Sequence, residues 1–149
     1  MWTQDIDASN KHGINFVASE GLDGLSRDKK LIHQGANSGY QAINLAYHFG
    51  AERILLIGYD CGHTGSQRHW FGEHPQPLGQ ASDYAQMARN FATIKPADYG
   101  IEIINCTRET QLHCFPMMDL DDAIKACCDP GDRAEPGATG RKDQRVEAA

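Results

Sequence analysis

Long apolar runs are missing from this chain of 149 residues. The longest aliphatic stretch, Ile54-Leu55-Leu56-Ile57, falls far short of the roughly 18 to 20 residues that cross a bilayer, so no membrane span is expected. The start, Met1-Trp2-Thr3-Gln4-Asp5, lacks the basic head and apolar centre of a secretory signal, and the expected location is cytoplasmic. Positive charge is also short. Fourteen basic against twenty acidic residues leave a net charge of −6, and without a basic stripe no extended nucleic acid is expected as a partner, although a local basic spot for one phosphate stays open. Cysteine is scarce and irregular: Cys61, Cys106, Cys114, Cys127 and Cys128 are odd in number, so free thiols are expected rather than a disulfide framework. CxxC, HExxH, GxGxxG and GxxxxGK[ST] are all absent, which excludes the standard redox, metalloprotease, dinucleotide and P-loop sites. Cys61, His63, His69 and His74 are zinc-type ligands, but their spacing matches no standard site, and no metal is expected.

What is present divides the chain in two. Residues 129–149 hold Pro130, Gly131, Pro136, Gly137, Gly140 and nine charges, with Val146 as the one large aliphatic, a composition that cannot bury enough apolar area to offset ordering and that predicts a mobile tail. Residues 1–128 are expected to form one domain. Asn37-Ser38-Gly39-Tyr40-Gln41 opens a predicted helix with Ser38 and Gln41 as a capping box, Ala42, Leu45, Ala46 and Phe49 as its inward stripe, and Gly50 as its stop. Arg53-Ile54-Leu55-Leu56-Ile57-Gly58 follows as a strand buried on both faces, which implies a parallel sheet. Further strands are predicted over 14–18 and 101–105, and helices over 82–94 and over 120–128, the last capped by Asp119 with Ala123, Ile124 and Cys127 inward. Strand, helix, strand, helix, strand is the βαβαβ unit of an open, Rossmann-like α/β sheet.

Such sheets bind ligands beyond the carboxyl ends of their strands, which here are followed by residues 19–37, 59–81 and 106–118. The middle segment concentrates three histidines, an arginine, two carboxylates and the aromatic pair Trp70-Phe71 in 17 residues, more than a connector requires. Each candidate has a bland and a functional reading. Asp60 either caps the turn after its strand or meets a ligand; His69 and His74 are surface imidazoles or acid–base groups. Arg68 is a solvated charge or an anion clamp, and Trp70 packs a lid or stacks on a base. His48, on a helix, reads as structural. The turn Gly35-Ala36-Asn37-Ser38-Gly39 offers backbone N–H groups and a hydroxyl at a helix start, an anion-binding arrangement shared by many capped helices. Asn105 and Thr107 close the last strand as polar contacts for a sugar or base, with Cys106 and Cys114 as small buried groups.

The segments Asn37-Ser38-Gly39-Tyr40-Gln41-Ala42-Ile43-Asn44-Leu45-Ala46, Gly50 to Asp60, His69-Trp70-Phe71-Gly72-Glu73-His74-Pro75, Asn105-Cys106-Thr107 and Cys114-Phe115-Pro116 together resemble phage and prophage proteins often labelled morphogenetic. More distantly, the order Ser-Gly, helix, apolar strand, Gly-x-Asp is similar to bacterial lipooligosaccharide sialyltransferases and to flagellin-modifying and pterin-pyrophosphokinase-like families. That likeness implies a nucleotide contact at Ser38 and a general base at His74. The tyrosines that bind phosphate in those sialyltransferases are replaced by Gly62 and, roughly, Arg68. It further implies a domain without the family's N-terminal strand and Gly-x-Gly-Pro-Ser turn, completed by a partner or a second copy. The leading expectation is a phage-type, glycosyltransferase-like domain binding a nucleotide or nucleotide sugar. His74, His69 and Asp60 would be its catalytic residues, and Asn37, Ser38, Gly39, Arg68, Trp70, Asn105 and Thr107 its ligand contacts. The alternatives are a non-catalytic phage accessory protein that sequesters a nucleotide, and an oligomeric structural or morphogenesis protein that pairs through an open sheet edge.

Overall fold

The computed structural model of the chain describes residues 1–62 and 83–128. Along them lie β1 (Trp2–Thr3), α1 (Ile6–His12), β2 (Asn15–Phe16), β3 (Ala18–Ser19), β4 (Leu31–Ile32), α2 (Ser38–His48), β5 (Arg53–Leu56), α3 (Tyr84–Thr93), α4 (Pro96–Tyr99), β6 (Glu102–Asn105) and α5 (Leu120–Cys128). Helices and strands are thus mixed, and every strand pair is parallel: β1 with β2, β3 with β4, β5 with β6. Among the described residues these are three two-stranded pairings. The tail expected over 129–149 lies outside them.

The strand expected over 14–18 is split at Val17. The N–H of Val17 bonds to the carbonyl of Thr3 at 3.0 Å, and the N–H of Glu20 bonds to the carbonyl of Ile32 at 3.0 Å, so this segment exchanges β1 for β4 partway along. α1 lies between two signals: the Asp5 carboxylate accepts the N–H groups of Asp7 and Ala8, and Gly13 closes the helix at φ 63°. The strand expected over 53–58 ends at Leu56. Gly58 turns the chain at φ 75°, and Ile57 is left 60 % exposed instead of buried.

α2 forms where expected but is capped and oriented differently. Asn37, extended at φ −161°, is the N-cap, and its Oδ1 accepts the Tyr40 N–H at 2.8 Å; Ser38 is already helical, so its hydroxyl cannot serve as the cap. The buried stripe is Tyr40, Ile43 and Asn44 with Tyr47 half-buried behind them, not Ala42, Leu45, Ala46 and Phe49. Two stripes with helical spacing compete on this helix, and the one with the larger side chains removes more apolar area from water. Phe49, 65 % exposed, instead lies against Trp2 with ring centroids 5.7 Å apart. Buried Asn44 holds the chain on both sides of β4 by accepting the N–H groups of Ser26 and His33, and His48 Nε2 lies 2.8 Å from the Ser26 carbonyl, in keeping with a structural His48.

α3 begins at Tyr84 under an Asp83 cap and buries Asn90 and Phe91. α5 matches its expected span, with the Asp119 carboxylate accepting the Asp121 N–H at 2.9 Å, but its inward contact is narrow. Ala123 is fully buried, while Ile124 and Cys127 are exposed rather than inward. The β5–β6 pair is covered on both faces, as parallel strands require. Leu56 and Ile103 join the main core with Leu25, Tyr40, Ile43, Phe91, Ile94, Leu112 and Phe115, whereas Leu55 and Ile104 pack with Cys106, Leu120 and Ala123. Among the described residues no helix is long and apolar enough to cross a membrane.

Candidate functional site

The chain leaves β5 and β6 on the same side, and two loops are stitched together there. Asn105, fully buried, accepts the Thr107 N–H at 3.0 Å and donates to the Leu112 carbonyl at 3.0 Å, which sets the bend after β6. The hydroxyl oxygen of Thr107 then accepts the Tyr59 N–H at 3.0 Å, and the Thr110 hydroxyl donates to the Tyr59 carbonyl at 2.6 Å. The Gln111 N–H reaches the Asp60 carbonyl at 2.7 Å. Both backbone groups of Tyr59 are therefore gripped by threonines of the neighbouring loop, and Asp60 is held next to them. Tyr59 also ties this region to α2, since its hydroxyl donates to the Gly39 carbonyl at 3.0 Å. Gly39 makes that approach possible: a Cβ there would stand 2.8 Å from the Tyr59 ring.

Two hollows open over this scaffold and share Gly58 and Asp60. The larger, about 560 Å³, is lined by Ile57, Thr107, Arg108, Glu109, Asp119 and Asp121 among others. The smaller, about 230 Å³, lies between the α2 start at Asn37 and Gly39, the loop Tyr59 to Cys61, and Tyr84, Met87 and Phe91. Four carboxylates and one guanidinium line the larger hollow, so its wall is suited to accept hydrogen bonds from ligand hydroxyls. At the α2 start, Asn37 consumes the Tyr40 N–H, while the N–H groups of Ser38 and Gly39 make no backbone bond among the described residues. Burial pushes the Cys61 thiol up to about 11, with Cys114 and Asp60 adding to the effect, so Cys61 is a protonated wall group at neutral pH and no nucleophile. Burial, then Cys61, also raises Tyr59, which keeps its hydroxyl a donor.

The predicted residues separate accordingly. Asn37, Gly39, Asp60 and Thr107 surround the two hollows. Ser38 does not: it lines a third hollow of about 270 Å³ with Trp2, Thr3, Val17, Ile32 and Leu45 on the other side of α2. Asn105 is enclosed beneath the site, and its amide is spent on the loop. His69, His74, Arg68 and Trp70 lie outside the described residues, as does His63. Sequence reasoning passed over Tyr59 and Thr110, whose signal was their place one residue before Asp60 and three after Thr107, and it gave Arg108, Glu109, Asp119 and Asp121 no place in the site. Among the described residues no group of three or more His, Cys, Asp or Glu side chains is arranged to hold a metal ion. The chain matches no family model, no curated protein and no solved structure.

Proposed function

We propose that this chain is a phage-type, glycosyltransferase-like domain with a Rossmann-like open parallel sheet, and that it binds a nucleotide or nucleotide sugar at the carboxyl ends of β5 and β6. The observation that supports this most directly is the pair of hollows meeting at Gly58 and Asp60, the position where parallel α/β sheets take their ligands. In this reading the phosphate end faces the N–H group of Gly39 at the α2 start, and the carboxylates of the larger hollow receive sugar hydroxyls. Asp60, common to both, orients the ligand between them.

Transfer chemistry would use groups that the sequence places next along the chain. His74 takes the proton of an acceptor hydroxyl while that oxygen bonds to the anomeric carbon of the sugar. The bond from that carbon to the phosphate oxygen breaks, and Arg68 offsets the charge that the departing nucleotide retains. His69 and Trp70 would complete this side of the site.

Thermal-shift titration with CMP-, UDP- and GDP-sugars and with free nucleotides tests the reading. Stabilisation is expected to grow with ligand concentration, and Asp60→Asn is expected to weaken binding about tenfold, the worth of one charged hydrogen bond. Absence of any response to all of these ligands would refute nucleotide binding. Binding kept with donor hydrolysis lost in His74→Ala would mark an enzyme; binding without turnover in the unaltered protein would mark a sequestering protein.

A further inference from the structure

The larger hollow over β5 and β6 is uneven in charge and in what its groups have left to bond. Among the described residues, Asp60, Glu109, Asp119 and Asp121 put four carboxylates on its wall against the single guanidinium of Arg108, a formal excess of three negative charges. The side chains of Asp60, Glu109 and Asp121 accept no hydrogen bond among the described residues, Arg108 makes no ion pair there, and no three acidic groups are arranged to hold a metal ion. Thr107 is an independent sign that this hollow meets a ligand. It is 6 % exposed and its hydroxyl oxygen accepts the Tyr59 N–H at 3.0 Å, yet its hydroxyl hydrogen has no acceptor among the described residues. A buried donor left unspent is costly unless something entering from the hollow accepts it. Ile57 adds an apolar patch to the same wall, largely exposed where β5 has ended.

We infer that the larger hollow selects a polyhydroxylated sugar free of acidic groups and turns away sugars that carry a carboxylate. This rests on the nucleotide-sugar reading and narrows the substrate class of that same site. A ring with several hydroxyls donates to the carboxylates, accepts from the Thr107 hydroxyl and lays its C–H groups against Ile57. A uronic or nonulosonic acid brings a further negative charge among four carboxylates, of which Arg108 offsets only one. A hollow of about 560 Å³ admits either kind of ring, so charge rather than size makes the distinction. Because Glu109, Asp119 and Asp121 are exposed, the repulsion is screened by salt, and the selection is strongest at low ionic strength.

Calorimetric titration of the full chain at low salt compares ligands that share one nucleotide: UDP-glucose with UDP-glucuronate, GDP-mannose with GDP-mannuronate, and CMP with CMP-N-acetylneuraminate. In each pair that binds, the member with the acidic sugar is expected to bind at least about tenfold more weakly. The gap is expected to shrink to about threefold or less in the double variant Glu109→Gln, Asp121→Asn, and in the unaltered protein at salt on the order of 0.5 M. If the double variant fails to fold, the salt series alone decides. An acidic sugar bound as tightly as its counterpart overturns this inference and leaves nucleotide binding standing, whereas no binding by any of the six ligands overturns both. A gap that persists in the double variant and at high salt would assign the selection to shape and overturn the inference as well.

Discussion

Single residues decide the local geometry of this chain, and Gly35 is the sharpest case. It sits at φ 51°, and a Cβ on it would lie 1.9 Å from Cγ of Tyr40, the largest fully buried side chain. The Tyr40 ring covers this glycine while its hydroxyl donates to the Gly24 carbonyl at 2.5 Å, so one residue lets the helix start and the loop before β4 close together. Gly35→Ala is expected to cost about 3 kcal/mol, combining a left-handed backbone with a displaced core aromatic. Urea unfolding followed by circular dichroism measures it, and a loss under about 1 kcal/mol would show that Tyr40 can move aside. The sequence marked Gly35 as part of a turn, but a turn glycine and a glycine lying under a ring read alike, because the contact is made by a residue's position in space. Asn105 illustrates the converse. Its polar character at a strand end suggested a ligand contact, and only its complete burial shows that its amide is used for the loop bend.

At the scale of elements, chemistry that is local in sequence was legible and choices between neighbours were not. The spans of α2, α5 and β6 follow from caps, glycine stops and apolar spacing, which act over a few residues. The choice of Asn37 over Ser38 as N-cap depends on which residue first turns helical, and the preceding turn sets that. Asn37→Ala is therefore expected to cost about 1 kcal/mol, whereas Ser38→Ala changes stability by no more than a few tenths. Paired thermal melts check the difference, and equal losses would return the cap to Ser38. The wrong stripe on α2 has a similar origin: both stripes carry helical spacing, and the core selected the one with Tyr40 and Ile43. α1 and β4 escaped notice because two- and seven-residue elements carry too few apolar positions to show a period.

For the whole molecule, acids of the core and cleft whose protons burial retains, among them Tyr40, Tyr59 and Cys61, tie stability to alkaline pH. Burial raises Tyr40 from 10.0 to about 12 and Cys61 from 9.0 to about 11, and Tyr59 moves the same way. Their neutral forms are the ones the fold holds, so the unfolded chain loses these protons first. Their contribution is complete below pH 9 and is lost as pH rises through 9 to 12. The melting temperature should hold level from neutral pH to about 9 and then fall, with Tyr40→Phe reducing the decline above 10 and leaving the share of Tyr59 and Cys61. A flat profile through pH 12 would show that these groups are open to solvent. At the same scale the parallel α/β character was legible, since the apolar run of β5 bounded by charge and glycine already implies cover on both faces. The sequence by itself determined that class, the short helices and their stops, and the gathering of Asp60 and Thr107 at strand ends, because each depends on local pattern and chain direction. Only the tertiary structure decided which side of α2 turns inward, that Ser38 parts from Asn37 and Gly39, and that threonines grip Tyr59. Those depend on which distant segments meet, and packing in three dimensions selects among partners that the sequence leaves equivalent.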